Sequence, residues 1–443
     1  MRSDRYKEES APRSKNRIRR VKKKGSRALK LLLLLILLLL IAIPATVYNI
    51  YKNAAESLYV EINEDKLNVA VGEPLLALDC IKDHGGELFF ETGESSYSVI
   101  GSRDPVSYDD FYLSTDEVGE HTVNGYIEQP ILGGYLAPYD TFSFTYTVED
   151  KVPPVVLWSG GATLEKGTEF DIKNVVGYGD NADPNPEVTY TGTVDMNKSG
   201  DYPIHVTVTD ASGNSTDWDT TVYVVDKMPS YHDSSEKMPF KDFVDKHRAE
   251  GREFGIDVSV WQGEIDWNKV KAAGCEFAII RIGYSEDGII EFDKRFEHNY
   301  EHAKEAGIPI GLYMYSYDNS EEQVRQAATQ IIDQLGGDSL ELPIAFDWED
   351  FGQFQKYEMS LITLNRMYDA FADELSKAGY DCMLYGSKTY LEKVWDETDS
   401  RPIWLAHYTD ETDYSGPYRI WQASSSGRID GISGAVDINI MYE

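Results

Sequence analysis

The spacing of apolar positions changes character three times along the chain. From Leu31 to Tyr51 there are 21 consecutive residues without a charge, enough to cross the hydrocarbon core of a bilayer as a helix. From 57 to 226 the apolar residues alternate with polar ones in short pieces. Examples are Leu58-Tyr-Val-Glu-Ile62, Phe142-Ser-Phe-Thr-Tyr-Thr-Val148 and Thr221-Val-Tyr-Val-Val225, with Gly, Asp and Asn between them. That alternation predicts half-buried β-strands. It ends twice on the same pattern, Tyr146-Thr-Val-Glu-Asp-Lys-Val-Pro153 and Tyr223-Val-Val-Asp-Lys-Met-Pro229, which predicts two tandem β-sandwich modules over 57–149 and 150–226. A polar stretch over 227–250, with Pro229 and Pro239 and a short helix-like piece, reads as a linker.

From Phe254 onward, short apolar runs alternate with helical periods. The runs are Phe254–Val258, Phe277–Ile282, Pro309–Met314, Leu342–Phe346, Cys382–Tyr385, Ile403–Ala406, Tyr418–Trp421 and Val436–Ile440. Between them, Val324, Ala328, Ile331 and Leu335 share one helix face, and Leu361, Leu364, Tyr368, Phe371 and Leu375 share another. Gly274, Gly307, Gly336 and Gly379 stand where helices should stop. Five strand–helix units followed by three strands with no room for helices predict an irregular α/β barrel over 251–443. The whole is a multidomain chain: a basic tail (1–30), a transmembrane helix (31–51), two all-β sandwich modules, a linker and the barrel.

Charge sharpens this picture. The formal net charge is −34, yet residues 1–30 hold thirteen Lys/Arg against three Asp/Glu, leaving 29 basic and 73 acidic residues in the rest. Basic residues before the apolar span place the N-terminus in the cytoplasm and the residues after the span outside. The long basic segment and the lack of a small-residue cleavage site favour an uncleaved anchor over a signal peptide. So acidic a body repels phosphate, and no nucleic-acid partner is expected. Cys80, Cys275 and Cys382 have no metal-ligand spacing and read as buried thiols. The acidic loop Asp180-Asn-Ala-Asp183 lacks the further spaced oxygen ligands of a calcium loop and reads as a solvated turn.

The chemistry gathers at the barrel's C-terminal rim. Asp257 ends the first strand, Asp347 and Glu349 end the fourth, and Asp437 lies in the last. Strand alternation puts Asp347 and Glu349 on one face and Trp348 on the other. Buried like charges favour a proton on one of them, as glycosidic cleavage requires. Around these acids fall Arg281, Tyr284, Tyr313, Tyr315, Tyr317, Tyr385, Trp404, His407, Trp421 and Gln422, aromatic faces and polar edges suited to sugar rings. The competing use of four carboxylates is an all-oxygen magnesium site. No His or Cys stands beside them in sequence, and neither metal nor cofactor is expected.

Two resemblances rest on these residues. Phe254-Gly-Ile-Asp-Val-Ser-Val-Trp-Gln-Gly263, Ile265-Asp-Trp267, Ala278-Ile-Ile-Arg-Ile-Gly-Tyr284, Ile310-Gly-Leu-Tyr-Met-Tyr-Ser316, Phe346-Asp-Trp-Glu349, Ile420-Trp-Gln422 and Val436-Asp-Ile-Asn439 resemble, in order, the family 25 glycoside hydrolases, the Chalaropsis-type lysozymes. Phe170-Asp-Ile-Lys-Asn-Val-Val-Gly-Tyr-Gly-Asp-Asn-Ala-Asp183, Ser199-Gly-Asp-Tyr-Pro203 and Thr207-Val-Thr-Asp-Ala-Ser-Gly-Asn214 resemble the immunoglobulin-like repeats of bacterial surface proteins. The first resemblance implies an N-acetylmuramidase cutting the β-1,4 bond between N-acetylmuramic acid and N-acetylglucosamine in peptidoglycan. It implies Glu349 as general acid and Asp347, Asp257 and Asp437 as the other active-site carboxylates. With the proton on Glu349, Asp347 can stay ionised and accept a hydrogen bond from the substrate's acetamido N–H. A groove that binds peptidoglycan but cleaves it poorly, and a glycosidase for chitin-like polymers, are the alternative readings. The expected setting is a bacterial cell membrane, with the barrel displayed outside on a β-rich stalk.

Overall fold

The computed structural model describes residues 25–91, 111–158, 161–229, 237–396 and 401–442; the expected basic tail lies almost wholly outside these. Gly25–Glu56 is one helix, with Pro44 inside it and a mean hydropathy of 2.9 over its most apolar window. Its leucines are exposed and none of that window is buried. In the next module, Glu87–Phe90 pairs antiparallel with Gly119–Glu128, and Val60–Ile62 with Ile81–His84.

Residues 147–443 belong to one compact unit with the short segments 69–74 and 114–119. Its first part is a four-stranded sheet in the order Thr163–Glu165, Ser215–Val225, Gly200–Thr209, Glu187–Thr191, with a separate antiparallel pair of Val155–Trp158 and Gly177–Gly179. Alternation decides the faces. Ile204, Val206 and Val208 turn inward with Val222, Val224, Val176 and Tyr178, and His205 and Thr207 turn out.

The second part is a closed barrel. Its strands are β1 Arg252–Val258, β2 Phe277–Glu286, β3 Ile310–Ser316, β4 Ile344–Asp347, β5 Cys382–Ser387, β6 Ile403–Ala406, β7 Ile420–Arg428 and β8 Val436–Tyr442. β1 to β7 run parallel in sequence order, and β8 closes the ring antiparallel to both β7 and β1. Helices α1 Trp267–Ala272, α2 Phe296–Glu305, α3 Glu321–Leu335, α4 Leu361–Lys377 and α5 Lys388–Lys393 come after the first five strands. A short strand, Ile289–Phe292, folds back on β2. Side-chain caps start three of the helices: Asp266, Ser320 and Ser360 accept from the backbone N–H of Lys269, Gln323 and Thr363. Gly336, at φ 59°, ends α3 in the left-handed conformation that favours glycine.

Alternation again sorts the core into two layers. Phe277, Ile279, Ala345, Met383, Tyr385, Trp404 and Ile420 fill the barrel. Phe254, Ile256, Ile280, Phe346, Leu384 and Leu405 face the helices.

Two boundaries differ from the sequence expectation. The linker over 227–250 is in part barrel: Met238–Pro239 pairs with β7, and the helix Phe240–His247 buries Phe240 and Phe243 in the outer core. Three aromatic positions on one side of that short helix outweigh its charged character. The immunoglobulin-like segment is also more than a stalk. A 3-10 segment, Phe351–Tyr357, buries Phe351 and Phe354 in one apolar cluster with Leu157. Gln355 Nε2 donates to the carbonyls of Lys173 and Val176. Gly177 allows the approach, since a Cβ there would stand 2.3 Å from the Phe351 carbonyl oxygen.

Candidate active site

The expected carboxylates come from three strands and one loop. Asp257 is the penultimate residue of β1 and faces Asp437 of β8 in the antiparallel register. Asp347 is the last residue of β4, between Tyr315 of β3 and Tyr385 of β5. The strand ends there, so Glu349 stands just past it rather than on it. Trp348 points outward and is fully buried, its Nε1 donating to the Asp318 carbonyl at 3.0 Å. Phe351, Phe354 and Tyr357 pack around Trp348 with ring centroids 5.0, 5.5 and 5.0 Å away. The backbone that carries both acids is therefore wedged from behind by aromatic packing.

Asp257 is the best-partnered acid of the four. Its Oδ1 accepts from Gln422 Nε2 at 2.9 Å and from Asn439 Nδ2 at 2.8 Å. Both amides are themselves oriented. Trp404 Nε1 donates to Asn439 Oδ1 at 2.8 Å, and the hydroxyls of Tyr385 and Tyr408 donate to Gln422 Oε1 at 3.0 and 2.9 Å. Burial lifts Asp257 to about 6, against the pull of these donors. Burial and the Asp257 charge lift Asp437 to about 8 and Glu349 to about 7. Asp347 rises well above the usual carboxylate range, through burial and then the charges of Glu349 and Asp257, and Arg281 offsets this in part. Its Oδ1 is buried with no hydrogen-bond donor.

Asp257, held by two amide N–H donors, is the group best kept as an anion, whereas Asp347 is the one most disfavoured as an anion.

A groove of about 650 Å³ is lined by Trp261, Arg281, Tyr284, Tyr315 and Tyr317 among others; none of the four acids lines it, and it meets them through Tyr315, which pairs in register with Asp347. Tyr317 packs against Tyr315 with ring centroids 4.9 Å apart and planes tilted by 54°, and lies edge-on to Tyr284 at 6.2 Å. The Tyr284 hydroxyl donates to Glu291. Arg281 is locked to buried Asp293 by bonds of 2.8 Å from Nε and 2.7 Å from Nη2. Asp293 also accepts from the Val260 N–H at 2.9 Å, which fixes the loop bearing Trp261. Trp261 is 81% exposed, an indole face offered to solvent at the groove's edge.

Three aromatic expectations change. Trp421 is not a rim residue: it is 3% exposed, belongs to the outer core and donates its Nε1 to the His407 carbonyl at 2.8 Å. Its neighbour Gln422 faces the site, and on a strand adjacent side chains take opposite faces. Trp404 and Tyr313 lie inside the barrel, with ring centroids 5.9 Å apart, beneath the acids rather than beside a substrate. His407 bonds Thr412 through Nδ1 at 2.9 Å. Asn439, Tyr408, Trp261 and Asp293 were not singled out from sequence. Asn439 had a signal: it lies two residues after Asp437, on the same strand face.

Residues 256–432 match the profile of glycosyl hydrolases family 25, and residues 160–224 match the Ig-like domain of bacterial surface proteins. Lysozyme M1 of Streptomyces globisporus is 32% identical over 198 residues, 42% of this chain and 66% of that protein. The autolytic lysozyme of Clostridium acetobutylicum is 30% identical over 192 residues, 43% of this chain and 56% of that protein. The alignments thus span 56% and 66% of these relatives' lengths. Among solved structures, a family 25 glycosyl hydrolase from Bacillus anthracis aligns at 21% identity and TM-score 0.39, over 44% of this chain and 92% of that one. Residues 256–432 therefore belong to glycosyl hydrolase family 25, in a chain whose residues 160–224 are a bacterial surface Ig-like domain.

Proposed function

We propose that the chain is a cell-surface lysozyme that hydrolyses the β-1,4 bond between N-acetylmuramic acid and N-acetylglucosamine in peptidoglycan, with Glu349 as general acid. The observation that carries the reading is the gathering of four acids on the barrel rim: Asp257 opposite Asp437, Asp347 at the end of β4 and Glu349 just past it, with Gln422 and Asn439 holding Asp257. Burial and the Asp257 charge raise the Glu349 carboxyl to about 7. A carboxyl with that value still holds a proton near neutrality and can pass it to a glycosidic oxygen.

The other residues take roles from their geometry. Asp257 keeps a negative charge next to Glu349, supported by Gln422 and Asn439, and so sustains the proton on Glu349. Asp437, raised to about 8, holds its own proton and shares a hydrogen bond with Asp257. Asp347 presents a buried, unpartnered oxygen that suits a donor brought by the substrate, such as an acetamido N–H. Tyr284, Tyr315, Tyr317 and Trp261 offer rings to sugar faces, with Arg281 held rigid among them.

In the same reading Gly25–Glu56 anchors the chain in a bacterial membrane, N-terminus inside and barrel outside. Mass spectrometry of fragments released from purified peptidoglycan tests the function. New reducing ends on muramic acid are expected. Ends on glucosamine, or no release from peptidoglycan alongside turnover of chitin oligomers, would overturn it.

A further inference from the structure

The Ig-like part of the chain holds a group of acids that the sugar chemistry does not use. Asp150, Asp180 and Asp210 are all buried, and one carboxylate oxygen from each lies within 4.8 Å of the others. They come from three separate turns, so the loop Asp180-Asn-Ala-Asp183 is not the solvated turn its sequence predicts: Asp180 is 0% exposed. The nearest basic residue in sequence, Lys151, pairs with Glu149 instead.

Hydrogen bonds account for only part of this cluster. Asp150 Oδ1 accepts from Val152 N–H and Asn181 Nδ2, at 3.0 and 3.1 Å. Asp210 accepts from the backbone and side chain of Asn214, both at 2.8 Å. Asp180 Oδ1 accepts from the N–H groups of Ala182 and Asp183, at 2.9 and 2.7 Å. Asp180 Oδ2 is buried with no donor, and so is Asn181 Oδ1. Two buried, unpartnered acceptors beside three carboxylates form an unbalanced set, since a buried anion without a counter-charge is strongly disfavoured.

We propose that Asp150, Asp180, Asp210 and Asn181 form a calcium site that fastens the Ig-like domain to the barrel. The donor set is all oxygen, irregular and multiply charged. That favours Ca²⁺, which takes six to eight oxygens in flexible geometry, over Mg²⁺, which demands a regular octahedron. The remaining coordination falls to water and backbone carbonyls. The fastening comes from the same residues: the carbonyls of Asp180 and Asn181 accept from the N–H groups of Leu361 and Ile362 at 2.8 and 3.2 Å. These are the first two residues of α4, whose exposed N–H groups require acceptors. A cation that orders the Asp180–Asn181 turn also orders the acceptors on which α4 begins.

The test uses the full chain purified in detergent and stripped with EDTA, then titrated with CaCl₂ or MgCl₂. Calorimetry should show one Ca²⁺ per chain, with a Kd no weaker than the order of 10⁻⁴–10⁻³ M typical of extracellular modules. Thermal unfolding should shift upward with Ca²⁺, and amide exchange at Leu361 and Ile362 should slow. Asp180→Asn keeps an acceptor for Ala182 and Asp183 but removes the charge. It should weaken Ca²⁺ binding at least tenfold, and without Ca²⁺ it should unfold at a higher temperature than the stripped wild type. Asp210→Asn gives a second reading if the first variant does not fold. No binding by the wild type up to about 10 mM Ca²⁺, well above that affinity range, would overturn the proposal. So would variants that bind as tightly as wild type.

Discussion

Asp257 and Asp437 stand opposite each other where the first and last barrel strands pair. Two acids in register on neighbouring strands cannot both ionise cheaply, and folding sets them near 6 and 8, with Glu349 near 7. In the unfolded chain all three lose their protons near pH 4. Between there and the folded values, the folded chain binds more protons than the unfolded one. Stability must therefore fall as pH rises from about 4 to about 8. Thermal unfolding at pH 5, 6.5 and 8 should show a decreasing Tm, and Asp437→Asn should flatten the part of the slope above pH 6. A Tm that climbs over this range in the wild type would show that these acids are ionised without penalty.

Glu349→Gln keeps shape and hydrogen bonding but loses the transferable proton. Loss of a general acid costs about 10²–10⁴-fold in rate, and the variant should still fold and bind glycan strands. Wild-type kcat should decline as pH rises through about 7, where Glu349 gives up its proton. Retention of more than about a tenth of wild-type kcat, far above the usual residue of lost acid catalysis, would move the proton donor elsewhere among Asp257, Asp347 and Asp437.

Asn439→Ala removes one of the two amide donors on Asp257. A carboxylate that loses a donor becomes a weaker anion, so Asp257 should hold its proton to higher pH. The acidic limb of the pH–rate profile should then move upward, with lower kcat at pH 6 and partial recovery at pH 7.5. An unchanged acidic limb would mean that Asp257 need not be ionised for turnover.

The contact between the Ig-like domain and the segment after Glu349 predicts that the barrel is not self-sufficient. Gly177→Val drives a side chain into the Phe351 carbonyl, 2.3 Å from where its Cβ would stand. Overpacking of this kind costs about 1–3 kcal/mol. It should lower both Tm and kcat, because Trp348, behind the two acids, packs on Phe351 and Phe354. A chain cut to residues 240–443 exposes those phenylalanines and should aggregate or lose most activity. Full turnover by that fragment would return the Ig-like domain to the role of a spacer.

Deletion of residues 1–56 removes the apolar helix and should release the remainder from the membrane fraction into the soluble fraction of bacteria expressing it. Protease added to intact cells should digest the full chain down to a short protected stub. Survival of the barrel under that treatment would reverse the proposed orientation.

Much of the barrel could be read in the sequence because its signals are local. The run Leu342–Phe346 leads into Asp347 as strand and rim, and Val324, Ala328, Ile331 and Leu335 do lie on the buried face of α3. What sequence missed depends on pairing. Trp421 and Gln422 were both assigned to the rim, although a regular strand can send only one of them there; the bond from Gln422 to Asp257 shows which. Phe240 and Phe243 looked like linker because their partners lie in a barrel that begins later in the chain. Asp180 looked solvated because the acids it gathers with, Asp150 and Asp210, lie far from it in sequence.

Closure of the barrel by β8 also fixes when the enzyme can exist. β1 has no second neighbour until Val436–Tyr442 pairs with it, and Asp437 and Asn439 arrive on that same strand. During synthesis, the carboxylates of β1 and β4 thus emerge before the groups on β8 that complete the site. The proposed activity therefore requires the last barrel strand to have docked on the first.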